Sequence, residues 1–173
     1  MNISLAIKQS TKILKDKFIP NPELDSEILM AKTIQKDRKY ILLNFNQSLS
    51  TKDLNKFNKL IEMRSLHNPV AHLTNKKFFW NAEFFVTKDT LIPRPDTELI
   101  IENVLSLTKQ KSKKKILDIG IGSGCILLSV LRERENFYGT GVDISKNCLN
   151  ITKINAINLK VNNRLKLYKS DVD

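Results

Sequence analysis

The sequence predicts an α/β protein, in which a small helical bundle and a β-hairpin linker precede the first part of a doubly wound parallel sheet. Three observations lead to this fold class. Residues 1–66 contain no glycine and carry apolar residues at helical spacing. All five glycines lie between Gly120 and Gly141. From Ile116 onward, strand patterns alternate with helix patterns, which implies parallel pairing of the strands.

The helical bundle is predicted over residues 1–68. Asn21-Pro22 predicts a helix N-cap followed by a first-turn proline. Ser50-Thr-Lys-Asp53 resembles a capping box that opens a further helix. This part of the sequence contains no pattern that indicates chemistry.

A hairpin and a linker are predicted over residues 69–95. Phe78-Phe-Trp80 and Phe84-Phe-Val86 are strand-like aromatic runs, and Asn81-Ala-Glu83 between them predicts the turn. Exposed aromatic rings could stack on nucleic-acid bases, but packing in a core is the preferred interpretation. Pro93 and Pro95 then hold the backbone extended around one arginine.

The third region is predicted over residues 96–173 and begins with a helix that Asp96 or Thr97 can cap. Its apolar positions are Leu99, Ile100, Val104 and Leu107. A βαβαβ pattern follows, with strands from Ile116, over 138–143 and through Leu165 and Leu167, and with helices over 125–133 and after Ser145.

Composition limits the function classes. The formal net charge is +11, but the lysines are scattered except for the run over 109–115, so specific nucleic-acid binding is not favoured, although it stays open. No apolar run is long enough for a membrane span and no signal peptide is recognisable, so we expect a cytoplasmic protein without membrane contact.

The cysteines and histidines do not indicate a metal site. Cys125 and Cys148 have no cysteine neighbour at metal-ligand spacing, and the two histidines stand without a nearby carboxylate or cysteine cluster. Cys125 falls near a predicted helix N-terminus, which can lower the pKa of a thiol. Packing behind the glycine loop is the preferred interpretation for this residue.

The sequence Asp118-Ile-Gly120-Ile-Gly122-Ser-Gly124 predicts a loop that binds a nucleotide-type cofactor. Its glycines allow a sharp turn and close approach of a ligand. Asp143 and Asp171 follow the next two predicted strands, and ligands of open α/β sheets bind beyond the carboxyl ends of the strands. The dinucleotide fingerprint would place its third glycine at Cys125, so a degenerate NAD site is the alternative.

The loop resembles motif I of class I (Rossmann-like) S-adenosylmethionine methyltransferases. Four segments together are similar to the HemK/PrmC family, the release factor glutamine methyltransferases: 69–74, 79–80, 91–98 and 116–120. The resemblance covers residues 69–171, and Ile-Pro-Arg-Pro-Asp-Thr-Glu over 92–98 is its most diagnostic part.

The resemblance implies a role for each matching residue. The methionine end of S-adenosylmethionine would be held by Gly120, Ile121, Gly122, Ser123 and Gly124. Asp143 would hold the ribose hydroxyls. Asp171 and Val172 would border the adenine, although the family often has an aromatic residue where Val172 stands. Residues 93–98 would form the wall between cofactor and substrate, and the bundle would recognise a peptide chain release factor.

The family also carries an Asn-Pro-Pro-Tyr motif that orients the substrate amide, and the 173 residues contain no such motif. We therefore assign no catalytic residue and expect a chain truncated before that motif, with an open edge on its first parallel strand. Two alternatives stay open: a nucleic-acid amino-methyltransferase of the adenine N6 type, and a non-catalytic remnant.

Overall fold

In the computed structural model, which describes residues 1–171, a run of helices comes first in the chain, and a region in which strands alternate with helices follows. The chain forms two compact units, and the second begins at Asn75. The helices of the first unit are α1 (Ile3–Asp16), α2 (Pro22–Ile34), α3 (Arg38–Leu43), α4 (Thr51–Ser65) and α5 (Val70–Thr74). The elements of the second unit are β1 (Lys76–Phe79), β2 (Ala82–Phe85), α6 (Glu98–Leu107), β3 (Lys114–Ile119), α7 (Cys125–Glu133), β4 (Phe137–Asp143), α8 (Lys146–Asn158) and β5 (Leu165–Lys169).

The first unit is a helical bundle around one apolar core. Burial of these side chains is the main term that stabilises the bundle. Its buried apolar residues are Ile3, Ala6, Ile7, Leu14, Ile19, Leu29, Met30, Ala31, Ile41, Phe57, Ile61 and Leu73.

Side-chain caps define where several helices of the bundle begin. Ser50 Oγ accepts the N–H of Asp53 at 3.1 Å and donates to Asp53 Oδ2 at 2.7 Å, which confirms a cap at the predicted position. Asn21 occupies the predicted N-cap position of α2, although its side chain makes no cap hydrogen bond. Pro22 still occupies the first helical position, where its missing N–H costs nothing.

The hairpin pairs β1 with β2 in antiparallel register, with Phe79 opposite Ala82. Its turn is Trp80-Asn81, with φ of 43° and 51°, so Trp80 lies in the turn rather than in the strand. Positive φ at both central residues is typical of two-residue hairpin turns, whose twist matches that of the strands. The rings of Phe79 and Phe84 are buried and meet edge to face at 6.1 Å, which confirms the core-packing interpretation for this pair.

The larger sheet is parallel and has the order β3-β4-β5 within the described residues. Ile116 lies opposite Gly139, and Gly139 lies opposite Leu165. The helices α7 and α8 connect the strands, as the βαβαβ pattern predicts. This arrangement confirms the first part of a doubly wound sheet.

The two faces of this sheet differ. A Cβ at Gly139 would lie 2.9 Å from the side chain of Leu127. The helix α7 therefore packs directly on the face of β4 to which such a Cβ would point. On the opposite face Leu117 is 59% exposed and Ile119 is 58% exposed. Among the described strands, β3 is also an edge strand. The described part of the sheet therefore exposes apolar surface that a parallel strand normally buries.

The helix α6 contains all four of the predicted apolar positions, but its buried side is centred on another residue. Ile101 is its buried residue, while Leu99, Ile100 and Leu107 are exposed. Thr97 makes no side-chain cap bond, and a 3₁₀ turn over Pro95–Thr97 leads into the helix instead. Residues 99–101 are three consecutive apolar residues, so the periodicity of the sequence does not show which face of this helix is buried.

Candidate cofactor-binding site

The glycine loop joins the carboxyl end of β3 to the first turn of α7. Its three glycines all have positive φ, with 73° at Gly120, 56° at Gly122 and 80° at Gly124. The N–H groups of Gly120 and Ile121 both donate to the carbonyl of Val142 in β4, at 2.8 and 3.0 Å. The loop is therefore fixed to the neighbouring strand and lies at the carboxyl edge of the sheet, where ligands of such sheets bind.

Two of these glycines differ in the space around them. A Cβ at Gly124 would lie 2.8 Å from Leu128 Cδ1 and 2.9 Å from Thr152 Cγ2. At Gly120, no atom of the described residues lies within 4 Å of such a Cβ. Gly124 is thus required for packing at the start of α7, whereas Gly120 borders open space that a ligand could enter.

Asp143 ends β4 and is directly bonded to the loop. Its carboxylate is buried, with Oδ2 accepting the N–H of Gly122 at 2.9 Å and Oδ1 accepting the N–H of Ser145 at 2.8 Å. Each carboxylate oxygen can accept more than one hydrogen bond. The structure thus brings together the loop and the carboxylate that the sequence separates by about 20 residues, and both oxygens keep capacity for a hydroxyl donor.

Asp118, the acidic residue before the loop, has an altered pKa. Burial raises the pKa of its carboxyl group, and the negative charge of Asp143 raises it further, while the backbone N–H of Leu127 lowers it. A cation close to this carboxyl group would favour its ionised form. Two acidic groups therefore flank the glycine loop, one at the end of each of two adjacent strands.

Asp171 lies just beyond β5, at the same edge of the sheet. The N–H of Ser170 donates to the carbonyl of Asp143 at 3.2 Å, which continues the pairing of β4 and β5 to this point. Asp171 is exposed. Val172, the other residue expected to border an adenine, lies outside the described residues.

Two residues of α8 hold the loop from behind, and the sequence reasoning missed both. Thr152 Oγ1 donates to the carbonyl of Gly122 at 2.9 Å, and Asn155 Nδ2 donates to the carbonyl of Ser123 at 2.8 Å. Both side chains are fully buried. The one signal in the sequence is a pair of polar residues three positions apart on the face of α8 that also carries Ile151 and Ala156.

The hairpin turn is fixed to the helices that flank β3. The N–H of Trp80 donates to Glu98 Oε1 at 2.9 Å, and its indole Nε1–H donates to Glu133 Oε1 at 2.9 Å. Arg132 Nη1 donates to the carbonyl of Asn81 at 2.8 Å. The hairpin is therefore bonded both to the Pro93–Glu98 segment and to the end of α7.

Cys125 is not an activated thiol. Burial raises its pKa to about 11, which outweighs the hydrogen bond from Ser123. The backbone N–H groups of Cys125 and Ile126 at the start of α7 lower this pKa, but burial outweighs them, so the structure supports the packing interpretation of this cysteine. The pKa of Cys148 is also raised by burial, and its Sγ donates to the carbonyl of Asp89 at 3.2 Å.

Within the described residues, no helix combines the length and the apolar character that crossing a bilayer requires.

Two family profiles match the chain. The profile of the PrmC N-terminal domain matches residues 6–74, and that of the methyltransferase small domain matches residues 95–173. The first match falls on the helical bundle and the second on the part that carries the parallel sheet and the glycine loop.

Curated relatives match along most of the chain. A release factor glutamine methyltransferase of Leptospira interrogans is 38% identical over 159 residues, which are 91% of this chain and 56% of that protein. A protein of the same name from Buchnera aphidicola subsp. Acyrthosiphon pisum is 39% identical over 163 residues, which are 94% of this chain and 58% of that protein. The chain thus spans a little over half the length of these relatives.

Among solved structures, the N-terminal domain of human METTL16 in complex with S-adenosylhomocysteine has a TM-score of 0.46. It is 18% identical, and the match covers 83% of this chain and 55% of that one.

The two profiles fall on the two structural units, and the curated relatives match nearly the whole chain at more than a third identity. The chain therefore combines a PrmC N-terminal domain with a methyltransferase small domain, and along most of its length it is similar to release factor glutamine methyltransferases.

Proposed function

We propose that this chain is the recognition and cofactor-binding part of an enzyme that transfers a methyl group from S-adenosylmethionine to the side-chain amide of a glutamine in a peptide chain release factor. The observation that carries the proposal is the hydrogen bond between Asp143 Oδ2 and the N–H of Gly122. It unites a glycine loop and a strand-end carboxylate in one site, as nucleoside cofactors require.

The residues present fit this cofactor. Gly120 borders open space, so the methionine end could approach the loop backbone closely. Asp143 keeps acceptor capacity for the two ribose hydroxyls, in addition to the two backbone N–H groups that it binds. Asp171 lies at the same sheet edge, where it would border the adenine together with Val172.

Asp118 fits the charge of the cofactor. Its pKa is raised because burial penalises the ionised carboxylate. The ammonium group of the methionine end would compensate for that penalty, since an opposite charge favours the ionised form. We therefore assign Asp118 to the binding of this ammonium group.

The chemistry that the cofactor supplies is an electrophilic methyl group on a positively charged sulfur. An amide nitrogen is a poor nucleophile until its hydrogens are accepted and its lone pair is oriented. The 173 residues contain no Asn-Pro-Pro-Tyr, and we assign no catalytic residue among them. Their contribution is to bind the cofactor and the protein substrate.

The proposal assigns a separate role to each of the three predicted regions of the chain. Residues 1–68 would recognise the release factor, 69–95 would connect recognition to the cofactor site, and 96–173 would hold the cofactor. A protein that modifies release factors would work in the cytoplasm, where translation ends. A net charge of +11 is the one observation that favours nucleic acid as the acceptor instead.

A methyl-transfer assay tests the proposal. The native protein, captured by an antibody to residues 1–66, would be incubated with S-adenosylmethionine labelled on its methyl group. The acceptors would be a release factor, the same factor with its acceptor glutamine replaced, and RNA or DNA. We expect label on one glutamine of the unaltered factor. Label on adenine would support the amino-methyltransferase, and the absence of label from every acceptor would support a non-catalytic remnant.

A further inference from the structure

The side-chain amide of Asn155 binds two separate backbone segments. Its Nδ2 donates to the carbonyl of Ser123 in the glycine loop at 2.8 Å and to the carbonyl of Phe85 in β2 at 2.9 Å. Its Oδ1 accepts the N–H of Phe85 at 2.7 Å. Both hydrogens of the amide nitrogen are therefore used. One buried side chain satisfies the loop and both backbone polar groups of one residue in the hairpin.

The amide takes the place of a neighbouring strand for β2. Phe85 lies opposite Lys76 within the hairpin, yet its N–H and carbonyl both bond to Asn155. The outer edge of β2 at this point is thus anchored by a side chain of α8. A buried backbone group that lost this partner would be costly to leave unsatisfied.

The same face of α8 fixes the next part of the loop. Thr152 lies three positions before Asn155 and donates to the carbonyl of Gly122 at 2.9 Å. Two consecutive loop carbonyls therefore each accept a hydrogen bond from a side chain on the same face of α8. The conformation of the loop depends on α8, and through Asn155 it depends on the hairpin as well.

We propose that Asn155 is a positioning residue that couples the glycine loop to the hairpin. Loosening β2 loosens the loop, and a ligand that orders the loop also orders β2. The ligand half of this inference rests on the proposed function, because it requires S-adenosylhomocysteine to bind. The ligand-free half does not, because it concerns only contacts within the chain.

Asn75 offers a way to loosen the hairpin without touching the loop. Its Nδ2 donates to the carbonyl of Val86 at 3.1 Å, and its φ is 58°. Asn75→Ala removes that donor and places alanine in a left-handed conformation that it disfavours. Val86, the residue next to Phe85, then loses this side-chain donor but keeps the bond from its own N–H to the carbonyl of residue 75 at 3.3 Å, and the contacts of Asn155 stay in place.

Hydrogen exchange followed by mass spectrometry provides the ligand-free test. The chain would be compared with Asn75→Ala, Asn155→Ala and the double variant, with the exposed Asn150→Ala on α8 as the matched control. We expect Asn75→Ala to speed exchange in the peptide that covers 120–124 by roughly three- to tenfold. In the Asn155→Ala background the same change should add nothing, because the connection is already broken.

Three results would overturn the inference. An unchanged rate of hydrogen exchange in the loop of Asn75→Ala would show that the hairpin and the loop are independent. Effects of the two substitutions that simply multiply would show that Asn155 supports each segment separately. An equal effect of Asn150→Ala would show that α8 is merely sensitive to alanine. If Asn155→Ala does not fold, the coupling is judged from the effect of Asn75→Ala alone on hydrogen exchange in the loop.

The ligand arm uses the unaltered chain with and without S-adenosylhomocysteine. We expect slower exchange in the peptide that covers 82–86 as well as in 120–124. Protection restricted to the loop, with binding established by calorimetry, would overturn the coupling and leave the proposed function intact. Failure to bind would count against the proposed function, and the ligand-free arm would then decide the coupling alone.

Discussion

At the scale of single residues, Gly120 and Gly124 have similar φ angles but different surroundings. Both have φ near 75° within a few degrees, at 73° and 80°. Atoms of Leu128 and Thr152 surround the position of a Cβ at Gly124, whereas Gly120 has no described atom within 4 Å of that position. Alanine substitutions at these two positions therefore distinguish the free-energy cost of backbone strain from the cost of steric crowding.

Gly124→Ala should destabilise the chain more than Gly120→Ala. Alanine in the left-handed region costs about 1–2 kcal/mol at either position. Crowding against α7 and α8 adds about 1–3 kcal/mol at Gly124 alone. The midpoints of urea unfolding, followed by circular dichroism, measure the difference. Equal midpoints for the two variants would mean that the loop relaxes freely around the added methyl group.

Asp118→Asn should separate stability from ligand binding. Because burial raises the pKa of Asp118, ionisation of this carboxyl group costs more in the folded chain than in the unfolded chain. The substitution should therefore raise the unfolding midpoint at pH values above the raised pKa. The gain should shrink as the pH falls through the raised pKa, because the native carboxyl group then binds a proton more tightly than the unfolded one.

The same substitution should weaken binding of S-adenosylhomocysteine by roughly tenfold or more, since a charge-assisted hydrogen bond to the ammonium group is lost. For the unaltered chain, affinity should fall with pH as Asp118 becomes protonated. Calorimetric titrations across that pH range measure both effects. A variant that is stabilised yet binds equally well would remove Asp118 from the ligand site and leave its pKa as a packing effect.

At the scale of elements, two arginines hold the carboxyl ends of two helices. Arg134 donates to the carbonyls of Leu105 and Thr108 at the end of α6. Arg164 donates to the carbonyl of Leu131 at 2.7 Å and to those of Arg134 and Phe137 at 2.8 and 3.1 Å. Carbonyls at helix ends lack partners within the helix, so these guanidinium groups satisfy them. They also place α6 and α7 relative to β4 and β5.

Arg164→Lys should destabilise the second unit by about 1–3 kcal/mol, because an ammonium group cannot reproduce the forked geometry that reaches three carbonyls. Arg132→Lys is the matched control, since Arg132 is exposed and donates to one carbonyl. Unfolding midpoints of both variants provide the comparison. A midpoint for Arg164→Lys that is indistinguishable from the control would show that the helix end is satisfied by water.

The elements of the second unit follow closely from the sequence where one strong signal dominates. The helix predicted over 125–133 is observed over the same residues, and the strand predicted over 138–143 begins one residue earlier, at Phe137. Between glycines and a strongly apolar run, local preference and burial agree. Trp80 departs from its prediction because Glu98 and Glu133 hold its two N–H groups and stabilise it in the turn.

The supports of the site could not be predicted in the same way. Asn155 lies 70 residues from Phe85 and 32 from Ser123 along the chain. No local sequence pattern predicts which backbone groups a buried side-chain amide will bind, because tertiary packing determines its partners. The loop and Asp143 were recognisable because their spacing is set by one strand and one helix. Their assignment as ligand contacts remains a prediction.

At the scale of the whole molecule, the two units differ in how completely their cores are covered. The bundle encloses a continuous apolar core. In the second unit, Leu117 and Ile119 are more than half exposed on the uncovered face of the sheet, next to the edge strand β3. The relatives are longer, since this chain spans 56–58% of their length. Further polypeptide over this face would bury what is exposed here.

The 173-residue polypeptide on its own should therefore unfold in a poorly cooperative way. Trp80 is the single tryptophan of the sequence and lies in the second unit, so its fluorescence reports that unit alone. Circular dichroism at helical wavelengths is weighted towards the bundle. We expect the fluorescence transition at a lower temperature than the circular dichroism transition. One sharp transition seen by both probes would contradict this expectation.

The most direct test of the cofactor site is a calorimetric titration of the 173-residue chain with S-adenosylhomocysteine, beside the same titration of Asp143→Asn. We expect one binding site with a Kd on the order of 1–100 μM, a range typical of enzyme substrates. The variant should bind at least about tenfold more weakly, because it loses a charged acceptor. Absence of binding to the unaltered chain, or equal binding to both proteins, would contradict the assignment of the glycine loop and Asp143 as the cofactor site.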